Sequence, residues 1–241
     1  MHTTFGYFDL IETFPKAGCA VCNLLQRDVT HLLDSILYEY SVDRSMQAGF
    51  RASRGLCNQH GWQFTKLGNA LSAAVLYEAA LDEVLTVMEA SGPDERTRQG
   101  GWLGGLFGRV QPSALAEALM PKQPCAACAA QDAAEARYVT VIGEQIQDER
   151  IREAYRASEG LCLPHFRQTL AHAQDGDSAK LLLALQKDIW SRLRAELNEF
   201  MRKSDYQNAG EKMGAEGTSW QRVVARLAGE HGVFGLRRSG R

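Results

Sequence analysis

Phe50-Arg51-Ala52-Ser53-Arg54-Gly55-Leu56-Cys57 leads into Asn58-Gln59-His60, and Tyr155-Arg156-Ala157-Ser158-Glu159-Gly160-Leu161-Cys162 leads into Leu163-Pro164-His165. Six of the eight residues in the two octads are identical. Upstream of each stands Pro-Lys-x-x-Cys-x-x-Cys, first at Pro15 to Cys22 and again at Pro121 to Cys128. The CxxC pair recurs after 106 positions (125 − 19) and the CxxH pair after 105 (162 − 57). All six cysteines of the chain belong to this pattern. A self-similarity of this kind is the signature of an internal repeat.

The residue types in the repeat are those of a metal site. Two cysteines three apart at a helix start present both sulfurs on one side of a turn, where free N–H groups and the helix dipole favour thiolates. A CxxH pair supplies two more ligands, and three thiolates with one imidazole make a closed tetrahedral set of the structural zinc kind. The candidate ligands are Cys19, Cys22, Cys57 and His60 in the first copy and Cys125, Cys128, Cys162 and His165 in the second. The near-equal offsets predict one zinc per copy, hence two per chain. An iron–sulfur cluster is the alternative. Neither CxxC is followed by His, which excludes c-type haem, and no βαβ pattern supports a thioredoxin-like dithiol.

The rest of the chain reads as helices. Apolar residues from Leu24 to Tyr40 recur at three- and four-residue steps. Asp43 is placed to cap a short helix ending before Gly55. Another runs from about His60 to Gly68, and a longer one carries Leu71, Ala74, Leu81, Leu85 and Met88 as the stripe it is expected to bury. The second copy repeats the order, with helices over about Ala129–Gln147 and Asp148–Ala157, one after His165, and a long one capped by Ser178 with Leu182, Leu185, Ile189, Leu193, Leu197 and Phe200 on its apolar face. No period-2 segment appears, so the class is all-α with internally duplicated helical units. The predicted organisation is a first repeat over 1–91, a Gly-rich linker over 92–112, a second repeat over 113–203, and over 204–241 a C-terminal helix and tail that dock through Trp220, Val223, Val224 and Leu227.

Composition narrows function. The net charge of −2 is spread evenly, which argues against a nucleic-acid partner. No apolar run reaches the roughly 18 residues of a membrane span. The N-terminal residues lack the basic and apolar regions of a secretory signal, so a cytoplasmic location is expected, where patterned cysteines favour metal over disulfides. No catalytic constellation and no dinucleotide or phosphate fingerprint occurs. The reading is a non-enzymatic scaffold or adaptor for an unspecified protein partner, with a redox or iron–sulfur role as the alternative.

Through Pro-Lys-x-x-Cys-x-x-Cys, Arg-Ala-Ser-x-Gly-Leu-Cys-x-x-His and the terminal Gly232-Val233-Phe234-Gly235, the chain resembles a bacterial family known only as a domain of unknown function. The resemblance spans about Phe14 to Phe234 and implies a zinc-type helical protein, with no activity or partner attached.

Overall fold

A computed structural model describes residues 6–40, 43–90, 112–208 and 210–234. Its regular elements are helices throughout, with no strand among the described residues. In chain order they are α1 (Tyr7–Thr13), α2 (Ala20–Ser35, widening into a π turn over Ile36–Tyr40), α3 (Arg44–Ala52), α4 (Asn58–Thr65), α5 (Ala70–Ala90), α6 (Pro112–Ala118), α7 (Ala126–Gln145), α8 (Glu149–Ala157), α9 (Leu163–Ala171), α10 (Gly176–Lys203) and α11 (Ser219–Ala228). The 92–112 linker falls almost wholly outside the described residues, except that α6 begins at its last residue, Pro112.

The helices over 20–90 and over 126–203 follow one another in similar order, and two of them carry the same kind of cap. Asp43 and Asp148 each sit in extended backbone and accept two main-chain N–H groups, from Ser45 and Met46 and from Arg150 and Ile151. Each thereby satisfies two of the donors that a helix start leaves free. The long α10 is capped by Asp175, whose carboxylate accepts from Ser178 N–H, so Ser178 lies inside the helix rather than capping it.

The compact units do not follow the predicted 1–91 and 113–203 division. One consists of Met1–Val29 with Gln131–Arg241, the other of Thr30–Ala130, so the boundaries fall inside α2 and inside α7. In the first unit, α1 packs on α8. Leu10 and Phe14 join Leu24, Leu25, Tyr138, Ile142, Ile151, Tyr155, Leu182 and Ile189 in one core. Phe14 and Tyr155 meet with ring centroids 5.4 Å apart. Tyr7 Oη donates to Asp148 Oδ1 at 2.7 Å, which ties α1 to the cap of α8. The predicted stripe of α10 is buried at Leu182, Leu185 and Ile189. On α11 the outcome differs: Trp220, Val224 and Leu227 are exposed, while Ser219 and Arg226 are buried. The helix does pack on α9 and α10, and its buried Arg226 reaches the carboxylates of Glu159 and Glu230.

Gly143 lies in the interior of α7, where a glycine ordinarily weakens a helix by about 1 kcal/mol. A Cβ at Gly143 would stand 2.8 Å from the main-chain carbon and oxygen of His172, at the end of α9. Backbone cannot move aside as a flexible side chain can. Gly143→Ala is therefore expected to destabilise the protein by about 1–3 kcal/mol despite alanine's better helix propensity. A thermal melt checks this, and a raised melting temperature would refute it.

In the second unit, α3 and α4 pack on α5. Phe50 and Phe64 flank Tyr77 at 5.2 and 6.2 Å between ring centroids. Leu76 and Ala80 are the buried residues of α5. The stripe predicted to be buried there (Leu71, Ala74, Leu81, Leu85, Met88) faces solvent instead. Periodicity identified an apolar face, but the flank carrying Leu76, Tyr77 and Ala80 is the one that α3 and α4 cover.

Candidate metal centres

Four helices begin at a cysteine. The carbonyls of Cys19, Cys57, Cys125 and Cys162 accept the first helical bonds, from the N–H groups of Asn23, Gly61, Ala129 and Phe166 at 2.8–3.0 Å. Cys57 and Cys162 occupy the N-cap position, yet neither side chain caps its helix. Their sulfurs point elsewhere. In each case the second residue of the motif (Cys22, His60, Cys128, His165) lies in the first turn, beside its partner.

The eight side chains gather into two groups: Cys19, Cys22, Cys162 and His165 in the first unit, and Cys57, His60, Cys125 and Cys128 in the second, with the ligand atoms of each group within 4.8 Å of one another. This corrects the expectation of one site per repeat. The CxxC of each copy joins the CxxH of the other. Helix length supplies the reason. From Ala20 to Tyr40 the chain is helical over about 30 Å, and α3, even running straight back, could recover less than half of that at 1.5 Å per residue. The residues left before Cys57 would have to be fully extended to close the gap. They turn instead, with Arg54 and Gly55 at φ +57° and +83°.

In the first group, His165 Nδ1 lies 3.5, 3.4 and 3.2 Å from the sulfurs of Cys19, Cys22 and Cys162, and the Cys22 and Cys162 sulfurs are 3.7 Å apart. In the second, His60 Nδ1 lies 3.3, 3.6 and 3.4 Å from those of Cys57, Cys125 and Cys128, and the Cys57–Cys128 separation is 3.5 Å. A tetrahedron with metal–sulfur bonds of about 2.3 Å and metal–nitrogen bonds of about 2.0–2.1 Å has edges of about 3.8 Å (S···S) and 3.5 Å (S···N). Both groups thus have the spacing of ligands around a single ion. The cysteines are all free thiols.

Electrostatics point the same way. At the first group, burial opposes the charged form of His165, but Cys162, Cys19 and Glu135 hold its pKa well above the ordinary range. Burial would likewise raise Cys19, yet hydrogen bonds from Cys162 and Cys22 and the charge on His165 bring its pKa well below that of a free thiol. Cys22 is pushed up chiefly by its hydrogen bonds with Cys162 and Cys19, and Cys162 by its bond with Cys19, which outweighs the opposite pull of Cys22. A bound dication would compete with protons for these same atoms. At the second group, burial raises the Cys125 thiol, but His60 and the N–H groups of Cys57 and Cys128 outweigh it and draw its pKa down to about 6.

The folded pKa of Cys125 lies below its unfolded value of 9.0, so its contribution to stability is complete above about pH 9 and disappears as pH falls through about 6. In metal-stripped protein under reducing conditions, the drop in urea midpoint caused by Cys125→Ser is therefore expected to be larger at pH 9 than at pH 6. An equal drop at the two pH values would mean that Cys125 contributes no such dependence.

A layer of buried polar contacts that no spacing rule signalled supports the first group. His165 Nε2 stands 3.3 Å from Glu135 Oε1, which accepts from Gln168 Nε2 at 2.6 Å. A carboxylate behind a ligating imidazole fixes the ring and raises its basicity. Gln186, fully buried, accepts from Leu161 N–H at 3.1 Å, donates to Leu161 C=O at 3.0 Å and receives Tyr155 Oη. It thus clamps the residue before Cys162. Gly160 permits this approach: its φ is +75°, and a Cβ there would lie 2.9 Å from Gln186 Nε2. Arg226 bridges Glu159 and Glu230, and those carboxylates accept from Gly18 N–H at 3.1 Å and Cys19 N–H at 3.3 Å, capping α2.

At the second group the same position of the octad carries Arg54. It pairs with Glu83 at 3.3 Å and donates to Ala118 C=O at 3.1 Å. Tyr77 stands in the corresponding place there: Gly55 has φ +83°, and a Cβ on it would lie 3.0 Å from the edge of the Tyr77 ring. The one charge difference between the octads, Arg54 against Glu159, thus matches the different neighbours each must hold. The first group is wholly buried, whereas Cys57 and Cys125 in the second are half-buried.

Residues 53–233 match the model of a family of unknown function, DUF6062. The chain belongs to this family. The match takes in Cys57, His60, Cys125, Cys128, Cys162 and His165 and starts after Cys19 and Cys22. The chain is also similar to an uncharacterised 23.9 kDa protein encoded in the xynA 3′ region of Caldicellulosiruptor sp. (strain Rt8B.4), with 32% identity over 72 residues. That stretch is 30% of this chain and 35% of the relative's length. No solved structure matches the chain. Among the described residues, no helix is long and apolar enough to cross a membrane.

Proposed function

We propose that this protein is a non-enzymatic helical scaffold or adaptor whose two units are each stapled by one structural zinc ion. Cys19, Cys22, Cys162 and His165 would hold one ion, and Cys57, His60, Cys125 and Cys128 the other. The observation that carries the reading is four-ligand closure at single-ion spacing, with the first set entirely buried. Catalytic zinc keeps one position open to water or substrate, and structural zinc does not. The chemistry such an ion supplies is cross-linking. It fixes the starts of two helices that lie far apart in the sequence, 140 positions from Cys22 to Cys162 (162 − 22) and 65 from His60 to Cys125 (125 − 60). Iron–sulfur clusters use cysteine ligands too, but a cluster would have to be interposed among ligand atoms already close enough to share one ion. Six unpaired thiols suit a reducing, cytoplasmic setting.

Metal analysis with native mass measurement tests the proposal. Two zinc ions per chain and a colourless protein are the expected result. A brown, iron-containing preparation would favour the redox alternative. One zinc per chain would remove the pairing of one ion with each group.

A further inference from the structure

The exposed face of α5 has the pattern of a coiled-coil seam. Leu71, Ala74, Glu78, Leu81, Leu85 and Met88 recur at steps of three, four, three, four and three, and all six are exposed. Leu71, Leu81, Leu85 and Met88 are 77%, 59%, 46% and 49% accessible, on the side of the helix opposite Leu76 and Ala80. A repeat of 3.5 residues keeps a straight stripe facing a second helix. Monomeric proteins seldom leave such a stripe open to water without using it.

Charge says what kind of helix would cover it. The 21 residues of α5 carry Glu78, Asp82, Glu83 and Glu89 and no lysine or arginine. Glu83 is occupied by Arg54 and Lys122. Glu78 lies in the seam, and Asp82 and Glu89 follow it at the flanking position, one residue beyond the seam residues Leu81 and Met88. A second copy of the chain fits badly. Paired parallel, Glu78 would meet its own image; paired antiparallel, the flank carrying Asp82 and Glu89 would meet itself. Like charges at such positions set pairing against self-association.

We infer that the α5 face is the docking surface for an amphipathic partner helix with an apolar seam and lysine or arginine flanks. This gives the adaptor reading above its partner chemistry. The stripe covers nearly three heptads, enough for a helix-in-groove contact read through anchors at three- and four-residue spacing.

The experiment uses the full-length, metal-loaded protein and two dye-labelled synthetic helices of three heptads, with leucine in the seam and either lysine or glutamate on the flanks. Anisotropy titrations are expected to show binding of the lysine helix and not of the glutamate helix. Leu81→Asp/Leu85→Asp should weaken lysine-helix binding at least about tenfold. Because both leucines are exposed, the helical circular dichroism and melting temperature should be unchanged. Glu78→Lys/Asp82→Lys/Glu89→Lys should reverse the choice of peptide. The inference is overturned if the wild-type chain binds neither helix, or if both bind with no loss in the leucine variant. It also falls if the chain is a dimer that Leu81→Asp/Leu85→Asp dissociates, since the occupant is then a second copy. Binding that appears only once residues 94–109 are replaced by glycine and serine would assign the seam to the chain's own Trp102–Phe107 stretch, and again overturns it. Zinc content measured on the same samples separates failure here from failure of the metal assignment.

Discussion

A Cys19→Ser/Cys162→Ser protein is expected to lose one metal ion, whereas Cys19→Ser/Cys57→Ser loses two. Both proteins lack two thiols, so the difference reports only which cysteines share an ion. The crossed grouping places Cys19 with Cys162 and Cys57 with Cys125 and Cys128. Were the sites confined to the repeats, the counts would be reversed. The effect on stability should be large as well. Structural zinc in small peptides contributes on the order of 10–16 kcal/mol near neutral pH, against a net stability of about 5–15 kcal/mol for a whole domain. The first unit keeps its own core of Leu10, Phe14, Ile142, Tyr155 and Leu182, so some helix should survive loss of its ion, with a sharply lower melting temperature. Native mass spectrometry reads the metal count directly. A Cys19→Ser/Cys162→Ser protein retaining no metal at all would contradict the grouping.

The second large effect belongs to Gln186, which touches no candidate ligand. Gln186→Leu keeps much of the volume but strands Leu161 N–H, Leu161 C=O and Tyr155 Oη, all in a fully buried region. A buried polar group left without a partner costs about 1–3 kcal/mol. Three such groups, partly relieved by relaxation, put the loss at about 3–5 kcal/mol, at the severe end for a point substitution. For a chain of this size that lowers the melting temperature by about 10 °C. Leu161 immediately precedes Cys162, so the damage should reach the first site. Zinc should pass from that site to a chelator faster than from the second, although every ligand is intact. Differential scanning calorimetry and a colorimetric chelator assay check the two parts. Unchanged melting would mean that Gln186 does not hold the loop.

Sequence alone carried the helical class, the starts of α2, α4, α7 and α9, and the eight candidate ligands, because each is a local matter. A CxxC or CxxH at the start of a helix, an aspartate cap or an apolar period is written within a few consecutive residues. Which motif meets which is not local. Cys57 lies 35 positions from Cys22, and the repeat makes a site within one copy and a site across two look alike on paper. The length of the helix after each CxxC and the tight turn at Arg54 and Gly55 decided between them. The face that α5 buries was undetermined for a similar reason. Its apolar residues surround much of the helix, and only the packing of α3 and α4 on Leu76, Tyr77 and Ala80 left Leu71, Leu81, Leu85 and Met88 to the solvent. Gln186, Glu135 and Arg226 belong to the same class. Each is an ordinary polar residue on a helix until tertiary structure removes it from water, and a buried polar group must then find its partner wherever the fold has put one.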